Sequence, residues 1–181
     1  GFRAVLLVAS NASDVRKVLA FAGTDSVLDA IQDVEQALSI NPFVLTGQYA
    51  QAAELARYLQ RRHGDHLRVT GHSLGGGLAN FVSVKFSIPG AGINAAPMGP
   101  GTLLHLLLFG RRKQSPFTHY NNDGEVVSNY APGMQLGQRC QIESRNGIIA
   151  GHFLENLNTS APMVCYDGFL LRGQRESFDP R

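Results

Sequence analysis

Two short apolar runs open the chain, FRAVLLVA over 2–9 and KVLAFA over 17–22, with the polar segment NASD between them. Their β-prone composition predicts a hairpin or two adjacent core strands. From Ser26 the period changes. Val27, Ile31, Val34 and Leu38 recur at helical spacing, Ser26 and Asp29 form a capping pair, and the predicted helix ends near Asn41-Pro42. A second amphipathic helix is predicted from about Thr46, with Tyr49, Ala52, Ala53, Ala56 and Leu59 on its apolar stripe, and it stops at Gly64.

The next stretch, HLRVTGHSLGGGLANFVSVKF, passes from a short strand pattern through a glycine-rich turn into a helical pattern of Leu78, Phe81, Val82 and Phe86. Beyond it AGINAAP reads as a strand, TLLHLLLF as a helix, FTHYNN as a strand and GHFLENLN as a helix or loop-helix segment. Strands alternating with helices define an α/β protein, whose mostly parallel central sheet should carry helices on both faces. No repeat, low-complexity tract or linker divides the chain, so a single domain over 1–181 is expected.

Composition narrows the function classes. Sixteen basic and fourteen acidic residues leave a formal net charge of +2, which gives no global field for nucleic acid. The cluster Arg111, Arg112, Lys113 reads first as a solvated loop, and otherwise as a contact for anionic lipid headgroups. The apolar stretch Leu103–Phe109 is far short of the roughly 20 residues a membrane span needs. The amino terminus lacks the features of an export signal, so such a signal is missing or has been removed. Cys140 and Cys165 fit no metal motif; they form one disulfide or two buried thiols, and thiols are the expectation. No histidine pair has metal-ligand spacing with a third ligand, so neither zinc nor another cofactor is expected.

Chemistry enters with Gly71-His72-Ser73-Leu74-Gly75, a G-x-S-x-G pattern placed between a predicted strand and a predicted helix. A tight strand-to-helix turn needs glycine where side chains would collide with neighbouring backbone, and it holds the serine hydroxyl out of the sheet. Ser73 is therefore the candidate nucleophile. The Leu74 amide, at the positive end of the following helix, points to where an oxyanion would form.

These residues resemble the class 3 lipase family, the group of the fungal triacylglycerol lipases, and especially its bacterial branch of phospholipase A1-like secreted enzymes. The resemblance spans about 17–158. LAFAGTDSVLDAIQDV is similar to the family's F-R-G-T-x-S-x-x-D-W-x-x-D, with Gly23-Thr24, Ser26, Asp29 and Asp33 in register and Ala22 and Ala30 in place of arginine and tryptophan. The resemblance implies the α/β-hydrolase fold, with Thr24 and the Leu74 amide forming the oxyanion hole. THYNNDGEVVSNYAP resembles the strand-end motif N-x-x-D-x-V-P, and alignment on Asn122 puts Glu125 at the acid position, with Asp123 as its rival. The triad runs serine, acid, histidine in this fold, and His152 is the only histidine downstream of either carboxylate.

A serine hydrolase that forms an acyl-enzyme without a cofactor is thereby implied, with phospholipid at a membrane surface as the first substrate. Neutral acylglycerols, small esters and peptides are alternative substrates, and a non-catalytic hydrolase-like binding module is the alternative from another class. Members of the bacterial branch include toxins delivered to rival cells. The resemblance thus implies a secreted or delivered protein, which could be one domain of a longer chain and could meet a protective immunity protein.

Overall fold

The computed structural model describes residues 1–8, 17–23, 47–110, 117–144 and 146–167. The helix predicted over 26–41, Thr24 and the basic cluster 111–113 lie outside the described residues. Among the described residues seven strands form one sheet in the order of the chain: β1 (Ala4–Val8), β2 (Lys17–Phe21), β3 (Leu67–His72), β4 (Gly90–Ile93), β5 (Phe117–Asn122), β6 (Gln138–Ile142) and β7 (Met163–Asp167). Strands β2 to β6 are parallel, and an antiparallel strand closes each edge, β1 against β2 and β7 against β6.

Among the described residues three long helices connect the parallel strands: α1 (Gly47–His63), α2 (Leu74–Phe86) and α3 (Pro100–Phe109). Laying each new strand on the same side of the last, with right-handed crossovers, puts all three on one face. Accordingly α1 and α3 both pack on α2, which lies across β2 to β5. The strands' period of two matches this arrangement. Leu19, Val69 and Phe117 share a face and join Ala52, Ala56, Leu78, Phe81 and Val82 in the core, whereas Val18, Ala20, Arg68, Thr70 and Thr118 on the other face are half-buried. The three helices thus leave the second face to other elements. Tyr49, the first residue of the predicted α1 stripe, meets Phe81 of α2 edge to face at 5.1 Å, and all five members of the stripe are buried.

Three expectations need correction. Strand β1 is an edge strand and not a core one: Val5, Leu7 and Val8 are all exposed. GHFLENLN forms two single turns of 3-10 helix, Ala150–His152 and Leu154–Asn156, because side-chain amides take up the backbone partners; Asn156 donates to the Ala150 carbonyl at 2.7 Å. The cysteines are not thiols. Cys140 and Cys165 stand directly opposite each other on β6 and β7 and form a disulfide with an S–S distance of 2.05 Å. Strand β7 is too short and too polar at its end to stand out in the pattern, and without it nothing brings the two sulfurs together.

The disulfide closes a segment with a sequence separation of 25 that contains His152. A loop of this size removes about 3 kcal/mol worth of freedom from the unfolded chain. Thermal melts with and without reductant should therefore differ by roughly 6–12 °C; coincident melts would show that the bridge contributes nothing.

His119 on β5 is fully buried among the core residues and donates from Nε2 to the Leu136 carbonyl at 3.2 Å. Burial lowers its pKa from 6.5 to about 4; Arg139 adds to the shift and the Leu136 carbonyl opposes it. The unfolded chain takes up this proton below 6.5 while the folded protein refuses it until about 4, so stability falls across that window as pH falls. The loss should approach about 3 kcal/mol. Urea midpoints at neutral pH and near the bottom of the window should show this loss, and His119→Gln should flatten it; an unchanged slope would remove His119 from the acid response.

Candidate active site

The turn after β3 is built by close approach. A side chain at Gly71 would strike the Gly75 backbone, and one at Gly75 would strike the Phe21 carbonyl, so α2 starts against the ends of β2 and β3. Gly76 and Gly77 allow the same on the other side, where added carbons would lie 2.7 Å from the Ala95 Cβ and 2.8 Å from the Ala96 carbonyl. Between them Ser73 adopts φ 56°, the strained left-handed conformation of a nucleophile elbow. Its backbone is pinned to the neighbouring strand end: Ser73 N donates to Ile93 O at 3.1 Å, and Ser73 O accepts from Ala96 N at 2.9 Å.

Ser73 is buried, and its Oγ has no hydrogen-bond partner among the described residues. Leu74 is the first residue of α2, where helix geometry leaves the first amides without an intrahelical acceptor. At the end of β2, Gly23 lies against the His72 carbonyl and the Ser73 Cβ; a carbon added there would be 2.8 and 3.3 Å from them. Thr24 follows directly in sequence.

The two candidate carboxylates lie in different surroundings. Asp123 is exposed on the turn after β5, whereas Glu125 is 1% exposed and accepts from His152 Nδ1 at 2.7 Å. Glu125 also caps the short helix α4 (Val126–Tyr130): Oε2 accepts from Val127 N at 2.9 Å and Oε1 accepts from Ser128 N. Burial is the largest single influence on its pKa and opposes ionisation. The hydrogen bonds from His152, Ser128 and Val127 together outweigh it, and the carboxyl is held below its ordinary value. Asn129 fixes this turn by donating to the Asn122 and Glu125 carbonyls, each at 3.0 Å.

With Nδ1 bound to Glu125, the imidazole of His152 retains Nε2 for another partner. His152 is 2% exposed, and its ring packs, tilted by 40° at a centroid distance of 4.7 Å, against that of His72, the residue immediately before Ser73. His72 also donates from Nε2 to the His152 carbonyl at 2.6 Å. The motif reading treats His72 as a variable position and thus misses this contact; Asn94, which also reaches the His152 turn, is missed altogether. The available signal is a polar residue at a strand end inside the apolar run GINAAP. Among the described residues, no group of three or more His, Cys, Asp or Glu is arranged to hold a metal, and no helix is long and apolar enough to cross a membrane.

A largely parallel sheet with a strained serine at a strand-to-helix elbow, and a buried carboxylate–imidazole pair packed against the residue before that serine, is the arrangement of the α/β-hydrolase fold. The lipase from Rhizomucor miehei, solved in its propeptide complex, shares this fold: it superposes with a TM-score of 0.51 at 18% identity, over 77% of this chain and 52% of its own. Residues 1–176 match the Tle-like phospholipase domain, and the chain belongs to that family. It is also similar to an extracellular phospholipase A1 from Serratia liquefaciens, at 37% identity over 94 residues. That match covers 52% of this chain and 28% of the relative, so the chain spans only part of the length of the proteins it resembles.

Proposed function

We propose that the protein is a serine phospholipase of the A type, with Ser73 as nucleophile, His152 as general base and Glu125 as the acid that orients it. The observation that carries this reading is the buried Glu125–His152 pair at 2.7 Å, whose imidazole packs against the ring of His72, the neighbour of the elbow serine. Ser73 Oγ attacks the ester carbonyl and gives its proton to His152 Nε2, which passes it to the departing alcohol as the acyl-enzyme forms. Water then attacks the acyl carbon, losing a proton to His152, and Ser73 is regenerated as the fatty acid leaves. The hydrogen bond from Ser73 to His152 is to form as substrate binds, as catalytic contacts in free enzymes often tighten only then.

The oxyanion is held by the Leu74 amide and by Thr24, whose place is supported by the packing of Gly23 on Ser73. Phospholipid as substrate is supported by the family and by the Serratia enzyme. The loop around His152 adds a physical reason, because Ile148, Ile149, Phe153 and Leu154 are all exposed beside the buried base and offer an apolar rim to a lipid surface. Work outside a reducing cytosol, after secretion or delivery to another cell, agrees with the Cys140–Cys165 disulfide.

The test is fatty-acid release from vesicles of phosphatidylethanolamine and phosphatidylglycerol, compared with a triacylglycerol emulsion and a soluble acetyl ester. Phospholipid should be the preferred substrate. Preference for the acetyl ester or for triacylglycerol would overturn the substrate assignment.

A further inference from the structure

The ring of His152 is held by Glu125, but the ring can be aimed only if its backbone is fixed as well. That backbone belongs to a single 3-10 turn in a stretch without longer regular structure between β6 and β7. Four hydrogen bonds from three side chains converge on its two consecutive carbonyls. Asn122 Nδ2 donates to Gly151 O at 2.6 Å; Asn94 Nδ2 donates to Gly151 O and to His152 O, each at 3.0 Å; His72 Nε2 donates to His152 O at 2.6 Å.

Both asparagines are fully buried. The Asn94 amide has its orientation fixed, because Oδ1 accepts from Asn122 N at 2.8 Å and only Nδ2 faces the carbonyls. Asn94 itself sits at φ 44°, a left-handed conformation that asparagine tolerates better than most residues.

The donors share an address. His72 ends β3, Asn94 follows β4 and Asn122 ends β5. The same strand ends hold the nucleophile, through Ser73 N to Ile93 O, and lead into Glu125. We infer that His72, Asn94 and Asn122 are positioning residues that index the base-bearing turn to the strand ends carrying nucleophile and acid. The inference rests on the proposed roles of Ser73, Glu125 and His152. Its chemistry is specific: two adjacent carbonyls need donors, and an isosteric acceptor in the same place repels them.

Asn94→Asp puts a carboxylate oxygen where Nδ2 stood while keeping the acceptor for Asn122 N. A displacement of the base on the order of 1 Å is enough for about a hundredfold loss of rate. In Asn94→Asp, kcat on a soluble ester should fall by about that factor with KM nearly unchanged, and the low-field proton shared by His152 and Glu125 should shift or broaden in the proton NMR spectrum. His72 supplies a second test that spares the interior. His72→Phe keeps a ring but no donor and should lose activity, whereas His72→Gln keeps a donor and should recover most of it.

Full activity and an unshifted proton in Asn94→Asp, or equal activity in the two His72 variants, would overturn the inference. So would a loss of kcat that only tracks the fraction unfolded. The underlying hydrolase reading is checked separately by fluorophosphonate labelling of Ser73 in the unmodified protein. If labelling is absent, that reading fails by itself, while the His152–Glu125 proton still reports whether the turn is held by these side chains.

Discussion

Ser73→Ala is expected to reduce ester turnover about a million-fold, to the residual level that binding and oxyanion contacts supply without a nucleophile. The magnitude follows from cooperation within the triad. His152 has no proton to take once the hydroxyl is gone, so removing the serine alone costs about as much as removing all three groups. Folding should change little, because Ser73 Oγ has no hydrogen-bond partner among the described residues and its loss leaves no buried group unpaired. Single-turnover kinetics and a thermal melt on the same sample measure both effects. A variant that keeps even one part in a hundred of the activity would mean that another group carries the reaction.

The second large effect is expected at Glu125. Both of its oxygens are engaged, Oε2 with His152 Nδ1 and Val127 N, and Oε1 with Ser128 N. In Glu125→Gln one end of the amide becomes a donor facing donors, so at least one of these bonds is lost whichever way the group turns. The structural cost is about 1–3 kcal/mol for the unpaired group. The catalytic cost should be larger, about ten-thousandfold in kcat, because an amide no longer fixes the imidazole tautomer or supports the imidazolium as it forms. Asp123→Ala, on the exposed turn, should leave kcat unchanged. If the two variants exchanged these outcomes, the acid would be Asp123.

Glu125 also makes stability depend on pH. Because folded Glu125 is held below its ordinary value, the stability it contributes is present at neutral pH and is lost as pH falls through its folded value. This acts in the same direction as His119, and both make the protein acid-sensitive.

The sequence shows the site more clearly than it shows the frame that holds it. Gly71, Ser73 and Gly75 are legible because a tight elbow restricts residue choice at fixed spacing, and the α1 stripe is legible because helical periodicity spans several turns. Strands β6 and β7 leave no signature in the sequence: QRCQI and MVCYD are short and mixed in polarity, and pairing along the sheet edge, not local pattern, makes them strands. The disulfide is hidden for the same reason. Asn94 and His72 escape notice because their importance lies in contacts with residues 57 to 80 positions away, which no local spacing encodes. Glu125 became visible only through its alignment with a motif, since a glutamate two residues after an aspartate offers no local reason to prefer either.

Fatty-acid release from phospholipid vesicles, with the unmodified protein and Ser73→Ala assayed in parallel, decides whether this is a phospholipase that acts through Ser73. Release by the first and none above background by the second is expected. Release that persists in Ser73→Ala, or a folded unmodified protein that releases no fatty acid from phospholipid, would contradict it.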